Sequence, residues 1–392
     1  MRVKRIYALA AAALLSVYPA AGFSASAAES ESWIDFSEKW PDKFFDDDTV
    51  EVTENTYKSH DLNVRIDRHE FNRLTGDVDG NGEVEVADAI MALRYQAEDE
   101  VVITRDGLRN ADVNEDGLFT AEDTAMMLGW LSGNLEDDEF FVDHSLVWFV
   151  IDFYVRSMEN LRGAFAKGSY PESNKQVDSI EDMANENNAV FAINCDYCGF
   201  RDDGVIIRNG VTYRETYRSD LCLLYKDGVM DIVSDVKPQY VDRINDDKTY
   251  YRTMSDDEKA NIWQSVTFYP PLVVDGEVCE KFPGGNLGKA HPRSGIGYFE
   301  PGHYCFIQVE GRQPGYSNGI LLPDYAQMFK DLGCVEAFNM DGGSSSVIVF
   351  NGKQINKPAW NGRETSDILY LVDSAKIPED KAAAAWKEKQ SE

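Results

Sequence analysis

Two short segments with the same acidic pattern constrain this chain more than any other feature. Residues 77–88 read DVDGNGEVEVAD and residues 112–123 read DVNEDGLFTAED, so the pattern repeats with an offset of 35 residues. Each segment offers oxygen ligands at alternating positions, a glycine where a sharp turn is needed, and a final aspartate, as a calcium loop does. Two calcium loops are therefore predicted, each running into an apolar period typical of a helix.

The predicted ligands follow from the loop positions. Side-chain oxygens alternate along each loop, and position 7 contributes its backbone carbonyl. The candidates are Asp77, Asp79, Asn81, Glu83 and Asp88 in the first loop and Asp112, Asn114, Asp116, Leu118 and Asp123 in the second, with Glu83 and Leu118 at position 7. We predict two structural calcium ions here and assign no cofactor to the rest of the chain.

Two half EF-hands that end in aspartate, each followed by one helix, resemble a type I dockerin over residues 74–133. The resemblance implies a small all-α module whose calcium-loaded form binds a cohesin domain on a scaffold protein. Loop positions 10 and 11 usually match between the two copies, but here they are Val86-Ala87 and Ala121-Glu122. This asymmetry argues against docking in two equivalent orientations. A calcium-stapled spacer with no partner is the alternative.

The N-terminus has the composition of an export signal. Basic residues at positions 2, 4 and 5 precede an apolar run from Ile6 to Ala21 and the motif Ala25-Ser26-Ala27. We predict a signal peptide over residues 1–27 and a protein that is secreted or held at the cell surface through a scaffold, with an uncleaved anchor as the competing interpretation. No later apolar run approaches the ~20 residues of a transmembrane segment. The formal net charge of −31 argues against a nucleic-acid partner.

Composition divides the remaining chain. Residues 28–73 are an acidic segment without an assigned function, and their sequence is compatible with strands between Val50 and Ile66 or with a solvated linker. Residues 134–144 are a predicted linker, residues 145–376 a second and larger predicted domain, and residues 377–392 a polar tail.

Within residues 145–376 the apolar pattern predicts more strands than helices. Leu146–Val155 and Val190–Ile193 read as buried strands with a helix between them over residues 177–188, and one later helix is predicted over residues 323–332. Asp-Gly pairs predict hairpin turns. The predicted fold class is therefore α+β, or mixed α/β, around a sizeable β-sheet. All six cysteines lie in this half, and disulfides and free buried thiols both remain open.

The first catalytic candidate lies in the stretch from Glu336 to Lys353, which reads as strand, tight turn and strand. Asp341 occupies the turn and is followed by Gly342-Gly343 and three serines, whose hydroxyl and N–H groups can bind anionic oxygens. Small neighbours leave room for a ligand beside the carboxylate. An ordinary hairpin turn is the alternative.

Several segments, taken in chain order, resemble the phosphodiester glycosidase family. They are AINCDYCGF at residues 192–200, HPRSGIGY at 291–298, the block at 309–346 that ends in NMDGGSSS, and GRETSDILYLV at 362–372. The resemblance covers roughly residues 145–373. It implies an enzyme that cleaves a sugar, of the N-acetylglucosamine type, from a glycan sugar-1-phosphodiester.

The resemblance also implies roles for particular residues. Because phosphate is a good leaving group, such an enzyme needs charge stabilisation and positioned water more than strong acid catalysis. Asp341 is the first choice for nucleophile or base, and the other candidate acids are Glu310, Asp196 and Asp367. The substrate-binding candidates are Asn194, Arg293, Gly295, Arg312, Ser317, Asn339, Gly342, Gly343, Ser344, Ser345 and Arg363. The three arginines are assigned to phosphate because their planar forks match its oxygens.

The sequence departs from the family pattern at a few positions. Cys195-Asp196 follows Asn194 where relatives have NGG or NGD, Glu310 replaces an aspartate, and Ser344 replaces a third glycine. These changes affect the predicted sugar more than the predicted reaction. A carbohydrate-binding module that no longer cleaves, delivered by the dockerin, is the alternative function. A metal-dependent phosphodiesterase would need a His/Asp cluster, which five scattered histidines do not provide.

Overall fold

The computed structural model describes residues 33–71, 74–114, 116–135, 143–172, 175–216, 220–234, 237 and 250–391. The predicted signal peptide and most of the predicted linker over residues 134–144 lie outside these residues. The strands of the described part are β1 (Glu51–Val52), β2 (Thr56–Lys58), β3 (Leu62–Phe71), β4 (Leu146–Val155), β5 (Leu161–Phe165), β6 (Phe191–Asn194), β7 (Val205–Arg208), β8 (Val211–Glu215), β9 (Leu221–Tyr225), β10 (Met230–Val233), β11 (Ile262–Val266), β12 (Pro271–Val274), β13 (Glu277–Val278), β14 (Arg293–Glu300), β15 (His303–Val309), β16 (Glu336–Asn339), β17 (Ile348–Phe350), β18 (Lys353–Gln354) and β19 (Asp367–Leu371). The helices there are α1 (Val86–Gln96), α2 (Arg105–Ala111), α3 (Ala121–Leu131), α4 (Ile180–Glu186), α5 (Asp256–Ala260), α6 (Leu322–Leu332) and α7 (Lys381–Ser391).

Two antiparallel sheets form the frame. The larger has nine strands in the order β1-β2-β3-β4-β15-β14-β16-β12-β13, and the second has five in the order β18-β17-β6-β19-β5. Smaller sheets join β10-β9-β11 and β7-β8. The prediction of a mixed domain around a sizeable sheet is confirmed.

Alternating side chains along the strands place the core between the two sheets. On β15, Tyr304 and Phe306 join the central apolar cluster, whereas Cys305 and Ile307 point to the opposite face and pack with α6. The five-stranded sheet shows the same alternation, because Phe191 and Ile193 enter the central cluster while Ala192 packs towards α4. This period of two residues is what a sheet covered on both faces requires. Outside the dockerin-like segment, the described residues are therefore layered as helix, sheet, sheet, helix.

The dockerin-like segment is inserted between two paired strands. Strands β3 and β4 pair along their whole length, from Leu62 opposite Val155 to Phe71 opposite Leu146. The segment 72–145 thus leaves and re-enters the same end of one hairpin, and Leu74 bridges Asp143 at its base. The sequence of residues 51–71 is compatible either with strands or with a linker. In the structure it forms β1, β2 and β3 of the large sheet.

A helix forms where the sequence predicts a polar tail. The sequence predicts a polar tail over residues 377–392, whereas residues 381–391 form α7 with Ala382 and Ala383 buried and Trp386 packed against Tyr170 and Tyr213. Helix α6 begins one residue before its predicted start. In the part of the chain that the structure describes, no helix is long and apolar enough to cross a membrane.

The six cysteines are free thiols, and five of them are buried. Of the two alternatives that the sequence left open, the structure therefore has free thiols and not disulfides. Cys305 on β15 and Cys334 after α6 bring their sulfur atoms to 3.6 Å of one another. Burial raises the pKa of the Cys195 and Cys198 thiols well above the ordinary value. A reactive thiolate is therefore not favoured in the CxxC segment.

Candidate active site

The ends of strands from both sheets meet around Asp341. In the large sheet β15 and β16 both run antiparallel to β14, so the residues after β15 and β16 lie at the edge where β14 begins. In the second sheet β6 is antiparallel to β17 and β19, so its end lies beside the start of both. The chain passes from β16 in one sheet to β17 in the other through residues 340–347. The turn is therefore a bridge between sheets and not a hairpin.

Backbone hydrogen bonds hold this bridge on both sides. The Asp341 N–H donates to the Cys195 carbonyl (2.8 Å), and the Met340 N–H donates to the Ser294 carbonyl (2.8 Å). The Asn194 side-chain amide donates to the Asp341 carbonyl at 2.5 Å. Asn194 also accepts from the Ser294 hydroxyl at 2.8 Å, which fixes its orientation. These contacts fix the position of the Asp341 carboxylate.

The Asp341 carboxylate is nearly buried and bonded to one arginine. Arg363 Nη2 donates to Asp341 Oδ2 at 2.9 Å. Burial raises the pKa of Asp341 above its ordinary value, while a hydrogen bond from Ser345 and the charge of Arg363 oppose that rise. An acid whose environment pulls its pKa in both directions is a common feature of catalytic sites.

Two arginines flank Asp341, and each lies over an aromatic ring. The Arg363 guanidinium is 4.7 Å from the centre of the Tyr197 ring. The Arg312 guanidinium is 5.3 Å from the centre of the Trp360 ring. Burial, and then the neighbouring charge of Arg363, lowers the pKa of Arg312 below its ordinary value. Two cations that disfavour each other beside a single carboxylate form a site with affinity for an additional anion.

His291 orients Arg312. Its Nδ1 lies 3.4 Å from Arg312 Nε and 3.3 Å from Nη2, and its Nε2 lies 2.8 Å from the Asn286 carbonyl. A neutral ring that donates through Nε2 and accepts through Nδ1 satisfies both contacts. Burial is also the main cause that lowers the pKa of His291. His291, the first residue of the HPRSGIGY segment, therefore supports an arginine.

The glycine pair of the turn is required by close packing. Gly343 has φ of 71°, and a Cβ there would lie 3.0 Å from Arg312 Nη1. A Cβ on Gly342 would lie 2.6 Å from the Pro292 carbonyl oxygen. Ser344 and Ser345 continue from Gly343 in one turn of 3-10 helix, and Ser345 Oγ accepts from Arg363 Nε at 3.1 Å. A side chain at Gly342 would therefore collide with the backbone, and one at Gly343 would displace the Arg312 guanidinium.

Two of the other predicted acids, Asp196 and Asp367, both form ion pairs with Arg208 beneath the site. Arg208 Nη2 lies 2.6 Å from Asp367 Oδ2 and 3.2 Å from Asp196 Oδ2, and all three side chains are buried. The Thr267 N–H donates to Asp196 at 2.7 Å. Cys195, Asp196 and Asp367 could together face a metal ion, but the Arg208 guanidinium already supplies the positive charge at that place. The cluster fits an internal ion network better than a metal centre.

The remaining predicted residues support the loops around the site. Glu310 is buried and accepts from the Tyr316 hydroxyl and the Lys357 N–H, and burial raises its pKa. Ser317 donates to the Glu310 carbonyl at 2.7 Å. Asn339 donates to the Tyr269 carbonyl at 2.7 Å. All three side chains connect one loop to the next.

Arg293 and Gly295 are also part of the frame. Arg293 donates to the carbonyls of Leu287 and Lys289 at 2.8 Å each, and its burial lowers its pKa to about 10. A Cβ on Gly295 would lie 2.8 Å from the Tyr325 hydroxyl, inside the packing of α6 on the sheet. The structure thus brings Arg312 and Arg363 to Asp341, while the Arg293 guanidinium is engaged by backbone oxygens.

Sequence reasoning missed the two aromatic rings. Tyr197 lies within the quoted segment AINCDYCGF, and Trp360 stands two residues before GRETS, so a signal was available next to both motifs. Arg208 was missed because a single arginine after three apolar residues reads as the exposed end of a strand.

The acidic side chains of the first predicted calcium loop lie together. Ligand atoms of Asp77, Asp79 and Asp88 lie within 4.8 Å of one another. Asp77 accepts from the N–H groups of Gly80 and Gly82 at 2.9 Å each. Burial, opposed by these hydrogen bonds and helped by the charge of Asp88, raises the pKa of Asp77. Gathered carboxylates with such a rise suit a divalent cation.

The second loop repeats the arrangement. Asp112 accepts from the Gly117 N–H at 2.9 Å, and Asp123 accepts from the Val113 and Thr120 N–H groups at 2.9 and 2.7 Å. Gly117 has φ of 89°, as Gly82 has φ of 92° in the first loop. The residues therefore fit two calcium ions, which would be held by the predicted side chains. Bound calcium would neutralise the crowded carboxylates and stabilise the fold of both loops.

Family models match both parts of the chain. The model for phosphodiester glycosidases matches residues 187–372, and the model for the dockerin type I domain matches residues 75–130. The chain thus contains a phosphodiester glycosidase domain together with a type I dockerin domain. Both resemblances expected from the sequence are confirmed.

Individual relatives are more distant. The SPbeta prophage-derived uncharacterized protein YomE of Bacillus subtilis (strain 168) is 27% identical over 190 residues, which are 46% of this chain and 27% of that protein. This chain therefore spans about a quarter of the length of the curated relative it matches.

Two solved structures are similar to this chain at low identity. The catalytic domain of zebrafish N-acetylglucosamine-1-phosphodiester alpha-N-acetylglucosaminidase, auto-inhibited by its pro-peptide, is 19% identical with a TM-score of 0.46, over 61% of this chain and 80% of that chain. A hypothetical protein from Synechocystis is 12% identical with a TM-score of 0.37, over 58% of this chain and 61% of that chain.

Proposed function

We propose that this protein hydrolyses the glycosidic bond of a sugar-1-phosphodiester and releases a free sugar and a phosphomonoester. The observation that carries the proposal is the buried Asp341 carboxylate bonded to Arg363, with Arg312 beside it. A carboxylate serves the anomeric carbon, and a pair of guanidinium groups serves the phosphate. The match to the phosphodiester glycosidase family supports this reaction class.

Asp341 acts at the anomeric carbon as the nucleophile or as the base that activates water. Only the ionised form can do either, and the oxocarbenium-like transition state also gains from a nearby negative charge. Asp196, Asp367 and Glu310 are assigned to structural roles, because each is engaged in contacts beneath or beside the site. The sugar is proposed to be of the N-acetylglucosamine type.

Arg312 and Arg363 hold the phosphate. Their charges exceed that of Asp341 by one, so a phosphodiester with its single negative charge would neutralise the cluster. The rest of the chain is strongly acidic, with a formal net charge of −31, so this local positive charge is specific to the site. Arg293 is assigned to the loop at residues 287–291 and not to phosphate.

The dockerin domain is proposed to bind a cohesin on a scaffold protein in its calcium-loaded form, outside the cell. The gathered aspartates of the first loop and the matching backbone contacts of Asp112 and Asp123 in the second support the calcium requirement. The segment of basic, apolar and small residues at the N-terminus supports export. A calcium-dependent complex between the full-length protein and a cohesin from the same source, measured by calorimetry, tests the partner; no binding with any cohesin of that source would favour the spacer.

The central test is the variant Asp341→Asn on a panel of sugar-1-phosphodiesters. The substitution keeps the shape but removes the charge, so turnover should fall by roughly 10²-fold or more while the melting temperature changes little. Asp331→Asn, on the exposed side of α6, is the matched control and should retain full turnover. Near-normal turnover in Asp341→Asn would move the chemistry to another acid.

The site of bond cleavage is tested with water that contains heavy oxygen. Cleavage at the anomeric carbon places the label in the sugar, whereas cleavage at phosphorus places it in the phosphate. Arg312→Lys keeps the charge but loses the fork, so it should raise KM for phosphodiesters more than it lowers kcat. Label in the phosphate would contradict the glycosidase assignment. If the wild-type protein binds these compounds without cleaving any, the carbohydrate-binding alternative holds.

A further inference from the structure

Trp360 combines an exposed ring with an unfavourable backbone conformation. The residue is 74% exposed, and its φ of 55° and ψ of 34° lie in the left-handed region. Exposure alone is ordinary for a single apolar side chain, but this conformation is rare for a bulky residue. Strain of this kind persists where the surroundings enforce it, and such positions cluster at binding and catalytic sites.

The neighbours of Trp360 enforce its conformation. Ala359 before it is buried, and Gly362 after it has φ of 87°. A Cβ on Gly362 would lie 3.2 Å from Val347 Cγ2, so the chain passes close to the segment that follows Asp341. The ring is therefore held at the rim of the site by packed residues on both sides.

The same backbone conformation recurs around the Asp341 carboxylate. Tyr197 and Arg312 each have φ of 59°. These two residues and Trp360 all take part in the pairs of guanidinium and ring that flank the carboxylate. Three large side chains in the left-handed region thus lie around one acid, and such residues are found at binding and catalytic sites.

The two rings lie under different arginines. Tyr197 lies under Arg363, which bonds Asp341 directly. Trp360 lies under Arg312, which packs against Gly343 and His291. If the sugar that is cleaved faces Asp341, the phosphate lies against the arginines. The group on the other ester of the phosphate then extends past Arg312 towards Trp360.

We infer that Trp360 is a stacking platform for a ring on the leaving side of the phosphodiester. This inference rests on the proposed function, because it places the cleaved sugar at Asp341. An exposed indole offers a large, rigid apolar face and loses little conformational entropy on binding. The substrate class is therefore a sugar-1-phosphodiester whose second ester carries a cyclic group, and Trp360 determines specificity for that group.

The test compares two substrates that differ only in the second ester. They are the methyl and the cyclohexylmethyl phosphodiesters of N-acetylglucosamine 1-phosphate, measured for KM and kcat with the wild-type protein, Trp360→Ala and Trp360→Phe. The wild-type KM should be about tenfold lower for the cyclic ester, Trp360→Ala should abolish this preference with little change in kcat, and Trp360→Phe should keep most of it. Because the side chain is exposed, all three proteins should share one melting temperature.

Three results would overturn the inference. They are the absence of a preference in the wild-type protein, a preference that survives in Trp360→Ala, and an equal rise of KM for both esters, which would mean that Trp360 acts only by holding Arg312. If neither ester is cleaved, the proposed function fails, and the same comparison is made by calorimetric binding of both esters. A ring preference in binding that depends on Trp360 would then uphold the platform without the reaction, and its absence would reject it.

Discussion

Asp341 is balanced between burial, which favours its protonated form, and neighbouring groups that favour its charge, of which the Ser345 hydrogen bond and the charge of Arg363 are the largest. Because nucleophile and base both require the carboxylate, turnover should fall as the pH decreases through its pKa. That pKa lies above the ordinary aspartate value of 3.8. The acid limb of the pH profile of kcat therefore reports on this one side chain.

Ser345→Ala tests this balance. The Ser345 hydrogen bond is the largest of the influences that lower the Asp341 pKa, so its loss should raise that pKa further. The acid limb of kcat should then move to higher pH, while kcat on the plateau falls less than in Asp341→Asn. Ser344→Ala, one residue away and half-buried, is the control and should leave the limb in place. A limb that does not move in Ser345→Ala would assign it to a different acid.

Single residues of the candidate site were predicted from the local motifs in which they stand. Asp341, Arg312 and Arg363 were predicted because each stands in a segment typical of the family, and the structure brings all three together. Asp196 and Asp367 were grouped with them for the same reason. Their pairing with Arg208 depends on a strand that no motif marks, so the sequence could not separate the acid at the surface of the site from the acids beneath it.

Among the elements, the connection between β16 and β17 is the hardest to predict from the sequence. Both strands were predictable from their apolar residues, and Leu146–Val155 was predicted with the bounds that the structure has. The sequence could not predict that β16 and β17 belong to different sheets, because a glycine turn between two strands is equally compatible with a hairpin. The difference follows from pairing with β14 and β6, which lie far away in the sequence.

Gly343→Ala should weaken substrate binding in addition to lowering the stability of the protein. Its left-handed φ costs an alanine about 1–2 kcal/mol. In addition, the new Cβ would lie 3.0 Å from Arg312 Nη1, so the guanidinium must shift and KM for phosphodiesters should rise. Gly276→Ala is the matched control, since its φ of 80° brings the same backbone cost with no atom within 4 Å.

Urea unfolding and steady-state kinetics of both variants decide the point. Similar losses of unfolding free energy with a rise of KM confined to Gly343→Ala are the expected result. Equal kinetics in the two variants would show that Arg312 accommodates the methyl group without consequence for substrate.

In the described residues, a domain built on two packed sheets is interrupted by the dockerin-like insertion. The sequence predicted these two parts in tandem, with residues 28–73 as a separate segment. Pairing of β3 with β4 across residues 72–145 overrides that order, because strand pairing depends on contacts and not on proximity in the chain. Alternating Leu62, Val64 and Ile66 were the signal that these residues belong to the core.

Calcium removal should therefore act on the insertion alone. Without metal, the crowded carboxylates of Asp77, Asp79 and Asp88 repel one another, and the loops lose the energy that orders them. Calorimetry of the full-length protein in chelator should show loss of the transition that belongs to residues 74–133, with the transition of the catalytic half retained. Turnover on a cleavable substrate should persist. A single transition that shifts as a whole in chelator would contradict this independence.

The insertion also changes what a protease can do to this protein. In a tandem enzyme, one cut in an exposed linker frees the catalytic part from its anchor. Here a cut between residues 72 and 145 leaves both pieces joined, because ten residue pairs hold β3 to β4 on either side of the nick. Release of the catalytic half requires two cuts, one on each side of the dockerin domain. The proposed attachment to a scaffold would therefore survive a single break in the chain between β3 and β4.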